Sequence, residues 1–144
     1  MNVIIRPVNK TDILSLTNLA NDEWAPKLSM LAPSFVTCDG IIERCYVAEE
    51  ENEIIGFIYG FDLPNGLLLP EMLYVRSEYR RAGIGTQLLI HLEKDSGCSS
   101  SLIFYNNTRH NYYAKRGYIV GENIEAAMKD LTSTEKTPLK SQKE

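Results

Sequence analysis

Residues 71–97 constrain the fold most, because strand, basic turn, glycine loop and helix follow one another there. The segment reads EMLYVRSEYRRAGIGTQLLIHLEKDSG. The apolar run that leads into it, residues 67–75, is typical of a strand covered on both faces. From Ile84 onward apolar residues recur at three- and four-residue spacing as far as Gly97. This spacing predicts a helix that begins near residues 83–85 and ends at a glycine.

The loop between this strand and helix combines two arginines with two glycines. The N–H groups at a helix start point outward and the helix dipole is positive there, so the site favours an anion. Gly83 and Gly85 lack the Cβ atoms that would keep a phosphate away from the backbone. A P-loop would need Gly-Lys-Ser/Thr where this chain has Gly85-Thr86-Gln87, and a dinucleotide fingerprint would need a third glycine where Leu88 stands. Both of these alternatives are disfavoured.

The remaining pattern is Arg-x-x-Gly-x-Gly, formed by Arg80, Gly83 and Gly85 after Leu-Tyr-Val. In its extended form, LYVRSEYRRAGIGTQLL, it resembles the first signature of the GNAT superfamily of acyl-CoA-dependent N-acetyltransferases. In that family the loop holds the pyrophosphate of coenzyme A.

A second segment, NNTRHNYYAKRGY, resembles the second signature of the same family. Asn106, Tyr113, Gly117 and Tyr118 are in register with it. The chain departs from the family where Arg109 and His110 replace a residue that is often small. This departure affects only the expected packing of that helix.

The resemblance implies an α/β (α+β) fold: a GNAT-like three-layer structure with a mixed, mostly antiparallel central sheet of six to seven strands and about four flanking helices. The central and fifth strands would be splayed to hold CoA. The sequence patterns agree. They predict strands over 3–7, 44–49, 54–61, 67–75, 102–105, 118–120 and 126–131, and helices over 11–21, 84–96 and 106–116. We expect Thr11 to cap the first helix. Residues 21–33 show only an irregular apolar pattern. Residues 1–131 form the expected single domain, and residues 132–144 a disordered tail.

The resemblance also implies which residues hold acetyl-CoA. Backbone groups of the central strand would pair with the pantetheine arm, the loop would surround the pyrophosphate, and an asparagine would hydrogen-bond the arm. These residues are Leu73, Tyr74 and Val75; Arg80, Arg81, Ala82, Gly83, Ile84, Gly85 and Thr86; and Asn106. For Arg80 the alternative is that it braces the loop instead of touching phosphate.

Two side chains are candidates for proton transfer. Tyr113 is the candidate general acid, because a phenol stays protonated at neutral pH and can donate to a departing thiolate. The simpler interpretation, a packed aromatic of an amphipathic helix, is kept for its neighbour Tyr112. Glu71 is the sole charge in the central strand, and we expect it on the face of Leu73 and Val75. Burial there would raise its pKa and suit it to act as base or acceptor anchor. The alternative is a solvated or ion-paired carboxylate.

Composition narrows the class of protein. A formal charge of −4 disfavours nucleic-acid binding. Three cysteines without CxxC spacing favour neither a disulfide framework nor zinc, and no metal site is expected. Without a signal-like start or a long apolar run, the chain is expected to be soluble, away from membranes, and cytoplasmic. We expect a monomer or homodimer.

The sequence therefore predicts an acetyl-CoA-dependent N-acetyltransferase that transfers an acetyl group directly to a primary amine in a ternary complex. The acceptor is expected to be a small molecule, polyamine- or aminoglycoside-like. Neither signature contains a cysteine, which disfavours a covalent acyl-enzyme. Two alternatives stay open: a protein N-terminal or lysine acetyltransferase, and a non-catalytic acyl-CoA-binding regulatory module.

Overall fold

The structure is a computed structural model that describes residues 1–24, 44–105 and 107–120, with backbone only for residues 20–24, 107 and 110. The predictions for residues 25–43, for Asn106 and for residues 121–144 lie outside these ranges. The chain divides into two compact units, Met1–Phe104 and Tyr105–Glu144. Each is described by itself.

Among residues 1–24 and 44–104, the first unit contains five strands and two helices. The strands are β1 (Ile4–Pro7), β2 (Cys45–Glu50), β3 (Glu53–Leu63), β4 (Leu67–Val75) and β5 (Ser100–Ser101). The helices are α1 (Ile13–Trp24) and α2 (Ile84–Ser96). Short 3₁₀ turns occupy Lys10–Asp12, Pro64–Gly66 and Ser77–Tyr79. The predicted order of strand, helix, three strands and helix is confirmed.

The five strands form one mixed sheet in the order β1-β2-β3-β4-β5. The first four strands are antiparallel neighbours, and β5 runs parallel to β4. Glu51 and Asn52, which connect β2 to β3, both have positive φ angles. Such a pair makes the tight turn that matches the twist of a hairpin. The sheet is therefore mixed and mostly antiparallel, as the sequence predicted.

Helices cover both faces of the sheet. On one face Leu16 and Leu19 of α1 are buried in a cluster with Phe57 and Tyr59 of β3. On the other face Leu92 of α2 approaches Gly60 so closely that a Cβ on the glycine would lie 3.2 Å from the leucine Cδ2. Side chains alternate along a strand, so Tyr59 and Gly60 point to opposite faces. The result is the expected three-layer arrangement of helix, sheet and helix.

The start of α1 differs in detail from the prediction. The cap is Asn9, not Thr11: the Asn9 side chain accepts the Thr11 N–H at 3.0 Å, while the Asn9 N–H donates to the Asp12 carboxylate at 2.8 Å. Arg6 of β1 also donates to Asp12, at 2.8 and 2.9 Å, and to Glu49 of β2 at 2.6 Å. The guanidinium holds the pKa of Asp12 below its usual range. This network ties β1 to β2 and to the turn that precedes α1.

Two predicted strands are wrong. Instead of 102–105, β5 occupies Ser100–Ser101, and residues 102–105 are not in a strand. Leu102 and Phe104 are exposed while Ile103 between them is 8% exposed, so only alternate side chains of this apolar run are buried. Residues 118–120 likewise form no strand, and the Ile119 side chain is fully exposed. The other predicted closing strand, 126–131, lies outside the described residues.

The second unit begins with a 3₁₀ turn, Asn107–Arg109, followed by the short helix α3 (His110–Ala114). Gly117 has a φ of 87°, a left-handed conformation that suits glycine at a helix end. The N–H groups of Arg116 and Tyr118 both donate to the Tyr113 carbonyl, at 2.9 and 3.2 Å. The prediction that Gly117 closes this helix is confirmed.

Candidate acyl-CoA site

The glycine loop places main-chain groups, rather than side chains, at the start of α2. Gly83 is the N-cap residue in a left-handed conformation, with a φ of 80° and no side-chain cap. The first helical hydrogen bond runs from the Gln87 N–H to the Gly83 carbonyl at 3.0 Å. The N–H groups of Ile84 and Gly85 therefore precede the hydrogen-bond ladder and point outward from the helix start.

The space beside the loop is open. A Cβ on Gly83 would have no neighbouring atom within 4 Å. Arg81 shares the left-handed conformation, with a φ of 67°, and its side chain is exposed next to the exposed Ala82. Ile84, by contrast, is only 2% exposed and anchors the helix start in the core. Positive φ angles, a bare N-cap and a nearby cation are features of backbone anion-binding sites.

Arg80 is directed at protein rather than at the loop opening. Its Nε donates to the Val75 carbonyl at 2.7 Å, and its guanidinium carbon lies 5.6 Å from the centre of the Tyr74 ring. The second distance is within cation–π range. Arg80 thus connects the loop to the end of β4, which is the bracing role that the sequence left open.

The two edges of β4 differ. The Arg76 N–H donates to the Ile55 carbonyl of β3 at 2.9 Å. Backbone groups of successive strand residues point to opposite edges. Tyr74 therefore faces β3, whereas Leu73 and Val75 face the other edge. On that edge β5 pairs only with Leu67 and Leu68, and no described strand pairs beyond Leu68. Of the three predicted pairing residues, the structure leaves Leu73 and Val75 directed to this open edge.

Glu71 occupies a β-bulge. Tyr59 is opposite Met72 and Gly60 is opposite Pro70, so Glu71 is an extra residue without a partner on β3. A two-residue alternation does not extend through a bulge, so the expected shared face with Leu73 and Val75 loses its basis. The expected burial is wrong as well, because Glu71 is exposed.

Tyr59 is a polar group near this site that the sequence analysis did not single out. It is 3% exposed, and burial, followed by the Glu71 charge and then Cys45, raises its pKa to about 12. The Glu71 carboxylate is therefore close enough to influence a buried phenol. A signal for the bulge was present in Pro70, because proline inside a central strand is found at bulges.

Tyr113 is buried among aromatic side chains of the second unit. It is 7% exposed, and its ring centre lies 4.8 Å from that of Tyr105, 5.0 Å from Tyr112 and 5.7 Å from Tyr118. Burial is the main cause that raises the pKa of Tyr113. The phenol is therefore protonated at neutral pH, as a general acid must be.

The structure brings most of the predicted residues together within Met1–Phe104, namely Glu71, residues 73–75 and residues 80–86. Asn106 lies outside the described residues, and its predicted role is not placed. Among residues 1–24, 44–105 and 107–120, no group of three or more His, Cys, Asp or Glu side chains could hold a metal ion. Within the same residues, every helix is too short or too polar to cross a lipid bilayer.

Comparison with known families decides the classification. Residues 42–120, more than half of the chain, match the acetyltransferase (GNAT) domain family. The chain belongs to the GNAT family of acetyltransferases. The match includes β2 to β5, the glycine loop, α2 and α3. The fold class predicted from the sequence, and the enzyme class that accompanies it, are thereby confirmed.

Individual GNAT proteins resemble the chain at different levels. Over 57 residues it is 40% identical to the L-2,4-diaminobutyric acid acetyltransferase of Virgibacillus pantothenticus, a match that spans 38% of this chain and 36% of that protein. An aminoglycoside N-acetyltransferase crystallised with CoA has a TM-score of 0.69 at 18% identity, with 89% of this chain and 95% of the other covered. A ribosomal-protein-alanine N-acetyltransferase from Brucella melitensis biovar Abortus 2308 has a TM-score of 0.66 at 13% identity, with 90% and 100% covered. The structural likenesses show the shared fold.

Proposed function

We propose that the protein transfers the acetyl group of acetyl-CoA to a primary amine of a small molecule, polyamine- or aminoglycoside-like, by direct attack in a ternary complex. The observation that carries this proposal is the glycine loop. The N–H groups of Ile84 and Gly85 precede the hydrogen-bond ladder of α2, and the space beside Gly83 is open. Within the GNAT family this combination supports a diphosphate-bearing acyl carrier as ligand.

The residues that would hold acetyl-CoA divide by the part of the ligand they bind. Backbone N–H groups at Gly83, Ile84 and Gly85 bind the diphosphate, and the exposed Arg81 adds a positive charge. The open-edge backbone groups of Leu73 and Val75 pair with the amide-containing arm as a neighbouring strand would. Pairing along the strand fixes the depth at which the reactive end of the ligand lies.

The reaction makes one bond and breaks another. Acetyl-CoA supplies the acetyl group as a thioester. The neutral amine attacks its carbonyl carbon, a C–N bond forms, and the C–S bond breaks. The nitrogen then releases one proton to solvent to become the amide, and the sulfur leaves as a thiolate that takes up one proton. Tyr113 is proposed to donate this proton, and Glu71 to accept one from the ammonium form of the acceptor. An exposed carboxylate is suited to contact an amine that arrives from solvent.

The surroundings of Cys45 disfavour an acyl-enzyme at this residue. Cys45 is 1% exposed, and burial, with a smaller contribution from the Asp12 charge, raises the pKa of its thiol to about 12. A thiol that is both buried and protonated is a poor nucleophile. Cys45 is therefore a core residue in this proposal.

The small-molecule acceptor is supported by the relative that shares 40% identity over 57 residues, whose name specifies a diamino acid. The test is to measure free-thiol release from acetyl-CoA with a panel of diamino acids, polyamines, aminoglycosides and peptides. Turnover with a small amine is the expected result. Turnover with peptides alone would favour a protein acetyltransferase. CoA binding without thiol release for any acceptor would favour a regulatory module.

The proton-donor role is tested by Tyr113→Phe, which keeps the ring and removes the hydroxyl. We expect kcat to fall about 100-fold, the lower end of the range for general acid catalysis. CoA affinity, measured by calorimetry, should be unchanged. Tyr112→Phe is the matched control and should leave kcat within about twofold. Equal kcat values for wild type and Tyr113→Phe would remove Tyr113 from the mechanism.

A further inference from the structure

We infer that Arg80 is a positioning residue that ends the open edge of β4 at Val75 and does not bind phosphate. This inference rests on the proposed use of acetyl-CoA. Arg80 is the first residue of the Arg-x-x-Gly-x-Gly pattern, so a phosphate contact was the simplest sequence interpretation. The structure instead directs its Nε at the Val75 carbonyl, 2.7 Å away.

Two contacts hold the guanidinium in this direction, and a third holds the Arg80 backbone. The Nε–H donates to the Val75 carbonyl, the guanidinium carbon lies 5.6 Å from the Tyr74 ring centre, and the Arg80 N–H donates to the Ser77 carbonyl at 3.3 Å. Tyr74 is 3% exposed and packs against Phe57, with ring centres 5.9 Å apart, so the surface under the guanidinium belongs to the rigid core. A charge-assisted hydrogen bond and a cation–π contact together hold the side chain against β4.

The consequence for the ligand follows from strand geometry. Val75 is directed to the open edge, where an extended ligand would pair with the backbone. Because Arg80 donates to the Val75 carbonyl, that acceptor is already engaged. A ligand can then pair with Leu73 and with the Val75 N–H, and its ladder ends there. Arg80 therefore sets the register of the arm on β4, while Arg81 and the backbone N–H groups take the diphosphate.

The test separates geometry from charge with two variants of each arginine, Arg80 and Arg81. Arg80→Lys keeps the positive charge and removes the Nε–H, and Arg80→Gln removes both. If Arg80 positions the strand edge, both variants should bind CoA about tenfold more weakly, the value of one charge-assisted hydrogen bond. Arg81→Lys keeps the positive charge and should bind CoA more tightly than Arg81→Gln, whereas the two Arg80 variants should bind CoA with similar affinity. Calorimetry measures all four values without knowledge of the acceptor.

A spectroscopic signature checks the contact directly. In the absence of CoA, the ¹³C resonance of the Val75 carbonyl should shift in both Arg80 variants and stay in place in Arg81→Gln. Wild-type affinity for CoA in Arg80→Lys, or a Val75 carbonyl resonance that does not shift, would overturn the inference. Either result would indicate that Arg80 binds phosphate. If wild type itself does not bind CoA, the proposed function fails, and the Val75 resonance still decides whether the contact exists. Thermal unfolding of each variant confirms that the fold is intact.

Discussion

The two edges of β4 carry different tasks. Toward β3 the strand is paired along its whole length, with the single interruption of the bulge at Glu71. Toward β5 it is paired only at Leu67 and Leu68. The first edge is filled so tightly that two β3 residues opposite it are glycines, Gly56 and Gly60. The glycine loop follows the end of β4, and the space beside Gly83 in that loop is open. In the proposed function, the paired edge stabilises the fold and the other edge binds the ligand.

The largest effect is expected at the paired edge. A methyl group in Gly60→Ala would lie 2.8 Å from the Leu69 carbonyl and 3.1 Å from the Pro70 Cα. Neither backbone atom can move away without disturbing the pairing of β3 with β4. We expect the free energy of unfolding to fall by about 3 kcal/mol. Urea denaturation measures the change.

The matched control for Gly60→Ala adds the same methyl group at the open side of the molecule. Gly83→Ala meets no atom within 4 Å and costs only the left-handed backbone strain, about 1 kcal/mol. Equal losses of stability in the two variants would contradict the division between the edges.

The second prediction concerns binding. Gly83→Val places a branched side chain in the space assigned to the diphosphate, and a β-branched residue is also strained at a φ of 80°. We expect CoA affinity to fall about 30-fold, or about 2 kcal/mol, by calorimetry. Gly97→Val is the control, because Gly97 is also left-handed and open but lies at the other end of α2. Loss of CoA affinity in both variants would point to a general effect of helix stability.

A third prediction tests stability away from the open edge. Asp12 is 6% exposed and bound by Arg6, so Asp12→Asn should lower the free energy of unfolding at pH 7 by about 1.5 kcal/mol. The pKa of Asp12 is depressed in the folded protein, chiefly by the Arg6 hydrogen bond. Its contribution is therefore complete above the unfolded value of about 3.9 and is lost as the pH falls through the folded pKa.

The pH dependence of the free energy of unfolding provides a control within this third experiment. The difference between wild type and Asp12→Asn should narrow below about pH 4, where the unfolded carboxyl begins to take up a proton. CoA affinity at pH 7 should be unaffected. The exposed Arg44–Asp62 pair provides a control, and Asp62→Asn should change stability by less than about 1 kcal/mol. If the difference in the free energy of unfolding between the two proteins stayed constant across the acid range, ionised Asp12 would not be its cause.

The smallest change in stability is expected at the bulge itself. Glu71→Gln alters an exposed side chain, so the free energy of unfolding should change by less than about 0.5 kcal/mol. Turnover should fall and the KM for the amine acceptor should rise, because a charge that faces the ammonium group is lost. A variant with wild-type kinetics would leave Glu71 as a solvated carboxylate.

The sequence predicted the parts of this fold that local patterns control. The helical spacing after Ile84, the start of α2 near residues 83–85 and its end at Gly97 each depend on a few neighbouring residues. Such features can be predicted from the spacing of apolar residues and from the positions of glycines. The strand, loop and helix of the candidate site could therefore be located from the sequence alone.

The features that the sequence did not predict depend on distant partners. The extra residue at Glu71 is visible only when β4 is paired with β3, and β5 begins at Ser100 because its pairing starts opposite Leu67. The apolar run at 102–105 suggested a buried strand, yet Leu102 and Phe104 are exposed. Likewise, the direction of the Arg80 side chain is decided by the Val75 carbonyl and the Tyr74 ring, not by its place in a motif.

Apart from the extra residue Glu71, the register of β4 with β3 also limits how the length of this protein can vary. Removal of Leu69 would shift Leu67 and Leu68 by one position, and the Leu68 side chain, now 1% exposed, would turn to the other face of the sheet. Insertions in the turn at Pro64–Gly66 would not change the register of β4, so they should lower stability only slightly. Indels should therefore be accepted beside this strand and rejected within it.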